Sequence, residues 1–420
     1  MTPEANAAAA APGEEVELDV RTVRKDGKQV VTLRAVQRPL ECSVECEVYP
    51  VSGLRVDPLN PGPYTFATPG EATSFVAEAV EALTIRGCQE SCVRGRVAAA
   101  WALVLAAAGA VGWRDRAADA GDLGFFVSAG RTLVSSDWAS TFADPAVQAG
   151  PLGLGPLGLA ARLADTLGVS TLGLLSVGIQ VAGAAAILAV ATLVLRGRAW
   201  WLPAAVGAAA VALGLPSSAF MDGHPAQLFV PLLWVCAAHL ALRGNVAWAG
   251  ALVGLSAGIE TWGALGVAAL ALAPRARGAL TGSAVAAAAA AALYLPFVLA
   301  GEFRMLEYRW TVAEGTLPSL WLEQGGAFPW ELRLLQGAAA VGAGVVVALL
   351  VRRTSHAAWA PLLAIVAVRL LLDPLGYSWY WLALQALMLV GAAEFLSSPA
   401  FADLRRRISG SRAGVPMETG

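Results

Sequence analysis

The chain has 420 residues, 57% of them hydrophobic and 14% charged, and a formal net charge of −2. Soluble domains carry about 25% charged residues, so this composition excludes an ordinary soluble enzyme and indicates a polytopic membrane protein in a lipid bilayer. No basic stripe of the kind a phosphate backbone needs is present, which excludes a nucleic-acid partner.

Residues 1–15 are Ala-rich and acidic, without the basic start and apolar core of a secretory signal. They are expected to form a disordered tail on the cytoplasmic side. Residues 16–92 have a different character. VELDVRTVR alternates apolar and polar positions, Asp26-Gly27 supplies a turn, and QVVTLRAVQ alternates again, which predicts a hairpin. SVECEVYP predicts a third strand. EATSFVAEAVEALTIRGC predicts an amphipathic helix with Ala72, Phe75, Val76, Ala79, Val80 and Leu83 on one face. A small α+β cytoplasmic domain follows from these elements. Its cysteines come in two pairs, Cys42 with Cys46 and Cys88 with Cys92, each spaced so that both sulfurs can share a face. Matched pairs in a cytoplasmic domain favour a structural zinc over disulfides. Unligated thiols or redox-variable pairs are the alternative, because the spacing is wider than in a tight zinc knuckle.

From residue 97 to about 400 the chain is a ladder of apolar segments near the roughly 20 residues that cross a bilayer. Spans are expected at about 97–113, 169–195, 199–216, 225–242, 279–299, 334–351, 357–372 and 380–397. Residues 246–273 are two short apolar pieces flanking Gly258-Ile259-Glu260-Thr261, which predicts two short or half-spanning helices. The total is about ten transmembrane or half-spanning helices. Arginines collect at alternate gaps: Arg94 and Arg96, Arg196 and Arg198, Arg243, Arg275 and Arg277, Arg352 and Arg353, and Arg405 to Arg407. Acidic residues dominate the other gaps. The positive-inside rule then places both termini, with the basic tail 401–420, in the cytoplasm of a multi-pass cell-membrane protein.

The candidate chemistry falls in the acidic, outer gaps. The loop 114–168 is longer than a connection requires. In it Asp122 precedes Phe125, Phe126, Ala129 and Leu133 at helical spacing. A carboxylate there can act as a general base or merely cap the helix. In MDGHPAQLF, Asp222 and His224 lie in a turn before a proline that can open a helix; His224 can donate to a phosphate and Asp222 can orient it. Plain interfacial polarity is the alternative. Arg304 and Arg309 are outer-face exceptions to the positive-inside bias and can grip a phosphate, or they can pair with Glu302 and Glu307. Glu260 is costly between apolar helices unless it meets water or a partner. The last outer loop carries Asp373, Tyr377, Trp379 and Tyr380, where interfacial aromatics are expected and sugars can also stack. His239 is expected to be a packing residue, His356 beside Arg353 to be solvated, and Cys236 to be a small apolar residue. No nucleotide-binding glycine loop and no Ser-His-Asp arrangement is present.

Asp122-Leu-Gly-Phe-Phe126, Ala129-Gly130, Leu133 and Gln148-Ala-Gly-Pro-Leu152 together resemble the first outer loop of GT-C glycosyltransferases of the actinobacterial polyprenyl-phosphate-mannose-dependent type. The resemblance covers roughly residues 97–400. It departs from the family where Phe126 replaces a frequent Tyr and where SSDWAST replaces a Gly-x-x-x-Tyr stretch. It implies a GT-C-like all-α membrane domain that moves a sugar, mannose by analogy, from a polyprenyl-phosphate donor to a glycan or lipid-linked acceptor hydroxyl. It makes Asp122 the base and requires no cofactor for catalysis. Asp222, His224, Arg304 and Arg309 would then hold the donor phosphate, with Glu260, Asp373 and Tyr377 as weaker substrate contacts. A secondary transporter is the main alternative, and a membrane scaffold whose cytoplasmic domain does the work is the other.

Overall fold

The computed structural model describes residues 15–25, 28–38, 41–49, 59–85, 89–90, 93–195, 200–398 and 401. The chain divides into two compact units, Met1–Ala98 and Ala99–Gly420. The expected tail, most of the arginines of the inner gaps at 196–198 and 405–407, and Cys88 and Cys92 lie outside the described residues.

The N-terminal unit is an antiparallel sheet with one helix. Its strands are β1 (Val16–Lys25), β2 (Lys28–Gln37), β3 (Cys42–Val48), β4 (Tyr64–Phe66) and β5 (Gln89–Glu90), in the order β4-β3-β2-β1-β5. The predicted hairpin is β1 with β2, paired from Val16 opposite Gln37 to Lys25 opposite Lys28, with register shifts between Glu17 and Asp19 and between Val23 and Arg24. Helix α1 (Pro69–Ile85) starts on a capping box. The Glu71 amide donates to Thr68 Oγ1, and the Glu71 carboxylate accepts from the Thr68 amide. Ala72, Val76 and Val80 of α1 meet Val23, Val31, Leu33, Ala35 and Val44 of the sheet. The predicted face is therefore the buried one. Cys42 is part of this apolar cluster and Cys46 packs on it, and burial pushes both thiols up from their ordinary value. Among the described residues no group of three or more His, Cys, Asp or Glu side chains is placed to hold a metal.

The second unit is helical. In chain order it contains α2 (Val93–Asp115), α3 (Leu123–Leu133), α4 (Pro151–Leu167), α5 (Thr171–Val194), α6 (Leu202–Ala212), α7 (Leu215–Met221), α8 (Ala226–Leu242) and α9 (Val246–Ile259). It continues through a 3-10 helix at Thr261–Leu272, α10 (Ala276–Ala300), a two-residue hairpin of β6 (Trp310–Thr311) and β7 (Ala327–Phe328), α11 (Trp330–Val351), α12 (Ala360–Leu371) and α13 (Trp381–Leu396). Among the described residues, five helices are long and apolar enough to cross a membrane, or six if α6 and α7, bent by 40°, count as one. Length and composition alone do not reach the expected ten. α8, α9, the 3-10 helix and α12 are apolar but shorter.

One expectation is corrected by the packing. Ser217, just past the span expected at 199–216, does not lie in a loop: it is buried in α7 and donates to Asp115 Oδ2 at 2.5 Å, because Gly214 at φ +74° lets the chain restart a helix. The helical spacing after Asp122 is α3, and α4 packs against it through Gly130 and Gly158, where any Cβ would collide with backbone. The break at Glu260 stands as predicted. Trp234, fully buried, fills it by donating to Gly263 O at 2.9 Å and Ser256 Oγ at 3.1 Å.

Candidate functional site

Two glycine turns interlock at the start of the site. Gly121 (φ +48°) and Gly223 (φ +77°) adopt the left-handed region. A Cβ on Gly121 would lie 2.8 Å from Asp222 O, and one on Gly223 would lie 2.7 Å from the Asp122 amide. Only bare backbone permits this approach. It brings the ring of His224 to Asp122, with Nε2 3.1 Å from Oδ2. A carboxylate oxygen accepts, so an Nε2–H tautomer of His224 is the one that donates in this contact. Asp122 precedes α3 yet makes no side-chain cap, which removes the capping alternative. Its side chain is 60% exposed while that of His224 is 15% exposed. His224 stacks on Trp379 at 4.7 Å and 8°, meets Phe126 edge-on at 5.6 Å, and Trp379 in turn stacks on Tyr377 at 4.2 Å and 13°.

These residues border a cavity of about 680 Å³. Its wall also contains Glu260, Trp262, Tyr308, Trp310, Arg333 and Arg369. Glu260 reaches it because the chain breaks there. Its backbone bridges to Ala149, and Gly150 donates to Ile259 O at 2.8 Å, which ties the 114–168 segment to the break. Gln148 Nε2 donates to Met305 O at 3.0 Å and so ties the same segment to the stretch before β6. Tyr308 is pushed up from its ordinary value, first by burial and then by the neighbouring Tyr377 and Asp122, with Arg333 opposing.

A buried polar network forms another part of the wall. Arg333 Nη1 donates to Asp373 Oδ2 at 2.9 Å and to Gln336 Oε1 at 2.8 Å, and its guanidinium lies 4.3 Å from the Trp310 ring. Gln336 Nε2 donates to the backbone O of Arg369 at 2.8 Å. Asp373 is 1% exposed and also accepts from the Leu375 amide at 3.1 Å. Among the described residues, the buried indole N–H groups of Trp262, Trp330 and Trp379 and the Nε of Arg333 have no hydrogen-bond partner.

Of the residues singled out in the sequence, Asp122, Phe126, Gln148, His224, Glu260, Tyr377, Trp379 and Tyr380 share this wall. Arg304, Arg309, Asp222 and Asp373 do not. Arg304 is exposed and paired with Glu307 at 2.7 Å, which is the ion-pair alternative, and that pairing holds the Glu307 carboxyl down. Arg309 is exposed and also outside the wall. Asp222 closes α7 behind the wall, where burial raises its carboxyl against the pull of His224. Asp373 serves Arg333 and does not itself line the cavity. His356 is not simply solvated: its Nδ1 lies 2.6 Å from the buried carboxylate of Glu394. The arginines of the wall, Arg333 and Arg369, were missed. Their signal was present, since an arginine inside an apolar run is costly unless something compensates it. Comparison with protein-family models, with curated proteins and with solved structures gives no match.

Proposed function

We propose that this chain is a membrane glycosyltransferase of GT-C type that moves a sugar, mannose by the resemblance, from a polyprenyl phosphate to an acceptor hydroxyl at the outer face. One observation carries the reading. The Asp122 carboxylate, oriented by His224, shares a cavity with two arginines and a set of Trp and Tyr rings. A base, a cationic surface and flat apolar faces are the three things a sugar phosphate and a hydroxyl acceptor require.

In the proposed step the acceptor oxygen attacks the anomeric carbon. Its proton passes to Asp122, and the bond between the anomeric carbon and the phosphate oxygen breaks, with the electron pair leaving on polyprenyl phosphate. Asp122 is exposed enough for an acceptor to reach it. His224 fixes the carboxylate through the hydrogen bond, and Trp379 fixes His224. A glycosyl phosphate is already activated, so positioning and charge stabilisation suffice without a cofactor. Under this reading the bent pair and the shorter apolar helices complete about ten crossings or half-crossings, with both termini cytoplasmic. A secondary transporter is the second reading, and the break at Glu260 favours it, because Glu260 lines the cavity between two short apolar helices.

The test is transfer from radiolabelled polyprenyl-phosphate mannose in membranes. Asp122→Asn keeps the side chain's size and removes its basicity. It is expected to lower transfer by about 10²–10⁴-fold with folding intact. Near-normal transfer by that variant would remove the mechanism. No turnover of any lipid-phosphate sugar by the wild type would move the weight to the transporter.

A further inference from the structure

The two arginines of the cavity wall differ in their partners. Arg333 is compensated by the buried Asp373. Arg369, at the last turn of α12, is only 6% exposed, and no carboxylate among the described residues is within ion-pairing distance of it. Glu260 lines the same cavity but makes no ion pair with it. The guanidinium lies between two rings, 4.3 Å from Trp262 and 4.9 Å from Tyr380. Its only hydrogen bond among the described residues is a long one, 3.5 Å from Nη1 to Gln227 Oε1. Aromatic faces offset part of the cost of a buried cation, but an unpaired buried charge remains expensive.

The buried unmet groups of the cavity wall are donors. Among the described residues the indole N–H groups of Trp262, Trp330 and Trp379 have no hydrogen-bond partner, whereas Gln227 is fully buried and does not line the cavity. Arg369 itself keeps N–H groups to spare, since a guanidinium carries five. A ligand suited to this surround brings negative charge and acceptor oxygens and no donor. A phosphate ester offers about three such oxygens and meets a guanidinium in a bidentate way. We infer that Arg369, with Trp262, forms an oxyanion site in the cavity that takes a phosphate ester. The site rests on the transferase reading only for the natural source of that phosphate; its binding is measurable without turnover.

The full-length protein in lipid nanodiscs is titrated with farnesyl phosphate against farnesol, and with mannose 1-phosphate against mannose. Wild type is expected to bind at least one of the esters and neither uncharged control. Tighter binding of farnesyl phosphate marks a lipid phosphate as the source, and tighter binding of mannose 1-phosphate marks a sugar phosphate. Arg369→Gln should weaken the binding by about 10–100-fold. A second measurement separates a ligand site from a structural strut. Without ligand, Arg369→Gln should unfold at or above the wild-type temperature, because it removes an uncompensated charge. Ligand should raise the melting temperature of the wild type alone. Unchanged binding in Arg369→Gln, a variant that misfolds or melts well below the wild type, or no ester bound by the wild type would each overturn the inference. Arg369-dependent binding with no sugar transfer keeps the site and removes the transferase. Transfer that survives Arg369→Gln does the reverse.

Discussion

Asp122 and His224 are placed by backbone: two left-handed glycines press their turns together, and the side chains meet as a consequence. Arg333, Asp373 and Gln336 are placed by one another, through side-chain hydrogen bonds between the start of α11 and the segment after α12. The first arrangement leaves a carboxylate open to solvent, where it can exchange a proton at little cost in fold. The second is largely buried, and its members hydrogen-bond one another, so it stabilises shape and changes charge only at high cost. One cavity therefore joins a part suited to chemistry and a part suited to holding geometry.

The sharpest way to test this contrast is to break the buried part. Asp373→Ala leaves Arg333, whose side chain is 13% exposed, without its carboxylate. The expected loss is about 3–5 kcal/mol of stability, seen as a large fall in melting temperature in detergent. Removing both charges in Arg333→Met with Asp373→Leu should recover most of it, since an apolar pair of similar volume does not strand a charge. A loss under about 1 kcal/mol for Asp373→Ala would mean that water reaches the pair and that the two walls do not differ in kind.

The contrast also explains what could be seen in the sequence. The hairpin, the buried face of α1, the break at Glu260 and the helix after Asp122 were legible because each is a local pattern of period or punctuation. Asp122 and His224 were each visible as polar residues beside apolar segments. Their contact was not, because it depends on Gly121 meeting Asp222 about a hundred residues away. Arg333 was missed because it sits one turn into α11 and so looks like part of a loop's charge. Arg369 was missed beneath the aromatic run that follows it. Arg304 and Arg309 drew attention instead because they cluster with acids, and that clustering is what leaves Arg304 paired and exposed. The bend between α6 and α7 was hidden by a continuous apolar run, which gives no sign of where a glycine restarts the helix.

Gly223→Ala attacks the backbone-built part alone. The left-handed conformation and the clash with the 122–123 amides should cost about 1–3 kcal/mol. The larger consequence is geometric: His224 moves off Asp122, and a displacement near 1 Å can cost about 10²-fold in rate. Transfer should therefore fall by about 10–100-fold, mainly in kcat, while Arg369-dependent binding of farnesyl phosphate stays within about twofold. If ligand binding and transfer fall together, the two parts are one cooperative unit and the contrast fails.

The smallest effect is expected next door, at Asp222. It shares the turn with Gly223 but does not line the cavity, and burial raises its carboxyl above the ordinary value near 3.9, with His224 pulling the other way. A carboxyl raised on folding contributes stability that is fully present below its unfolded pKa and is lost as pH rises through the folded value. At neutral pH the ionised group is thus a net cost. Asp222→Asn should melt slightly higher than the wild type at about pH 7 and converge with it below about pH 4, with solvent keeping the difference small for a half-buried group. Transfer should stay within about twofold, because Asp222 neither lines the cavity nor touches Asp122 through its side chain. If Asp222→Asn abolishes transfer while Asp122→Asn spares it, the base lies on the other turn, and the interlocked glycines present the wrong carboxylate in the mechanism proposed above.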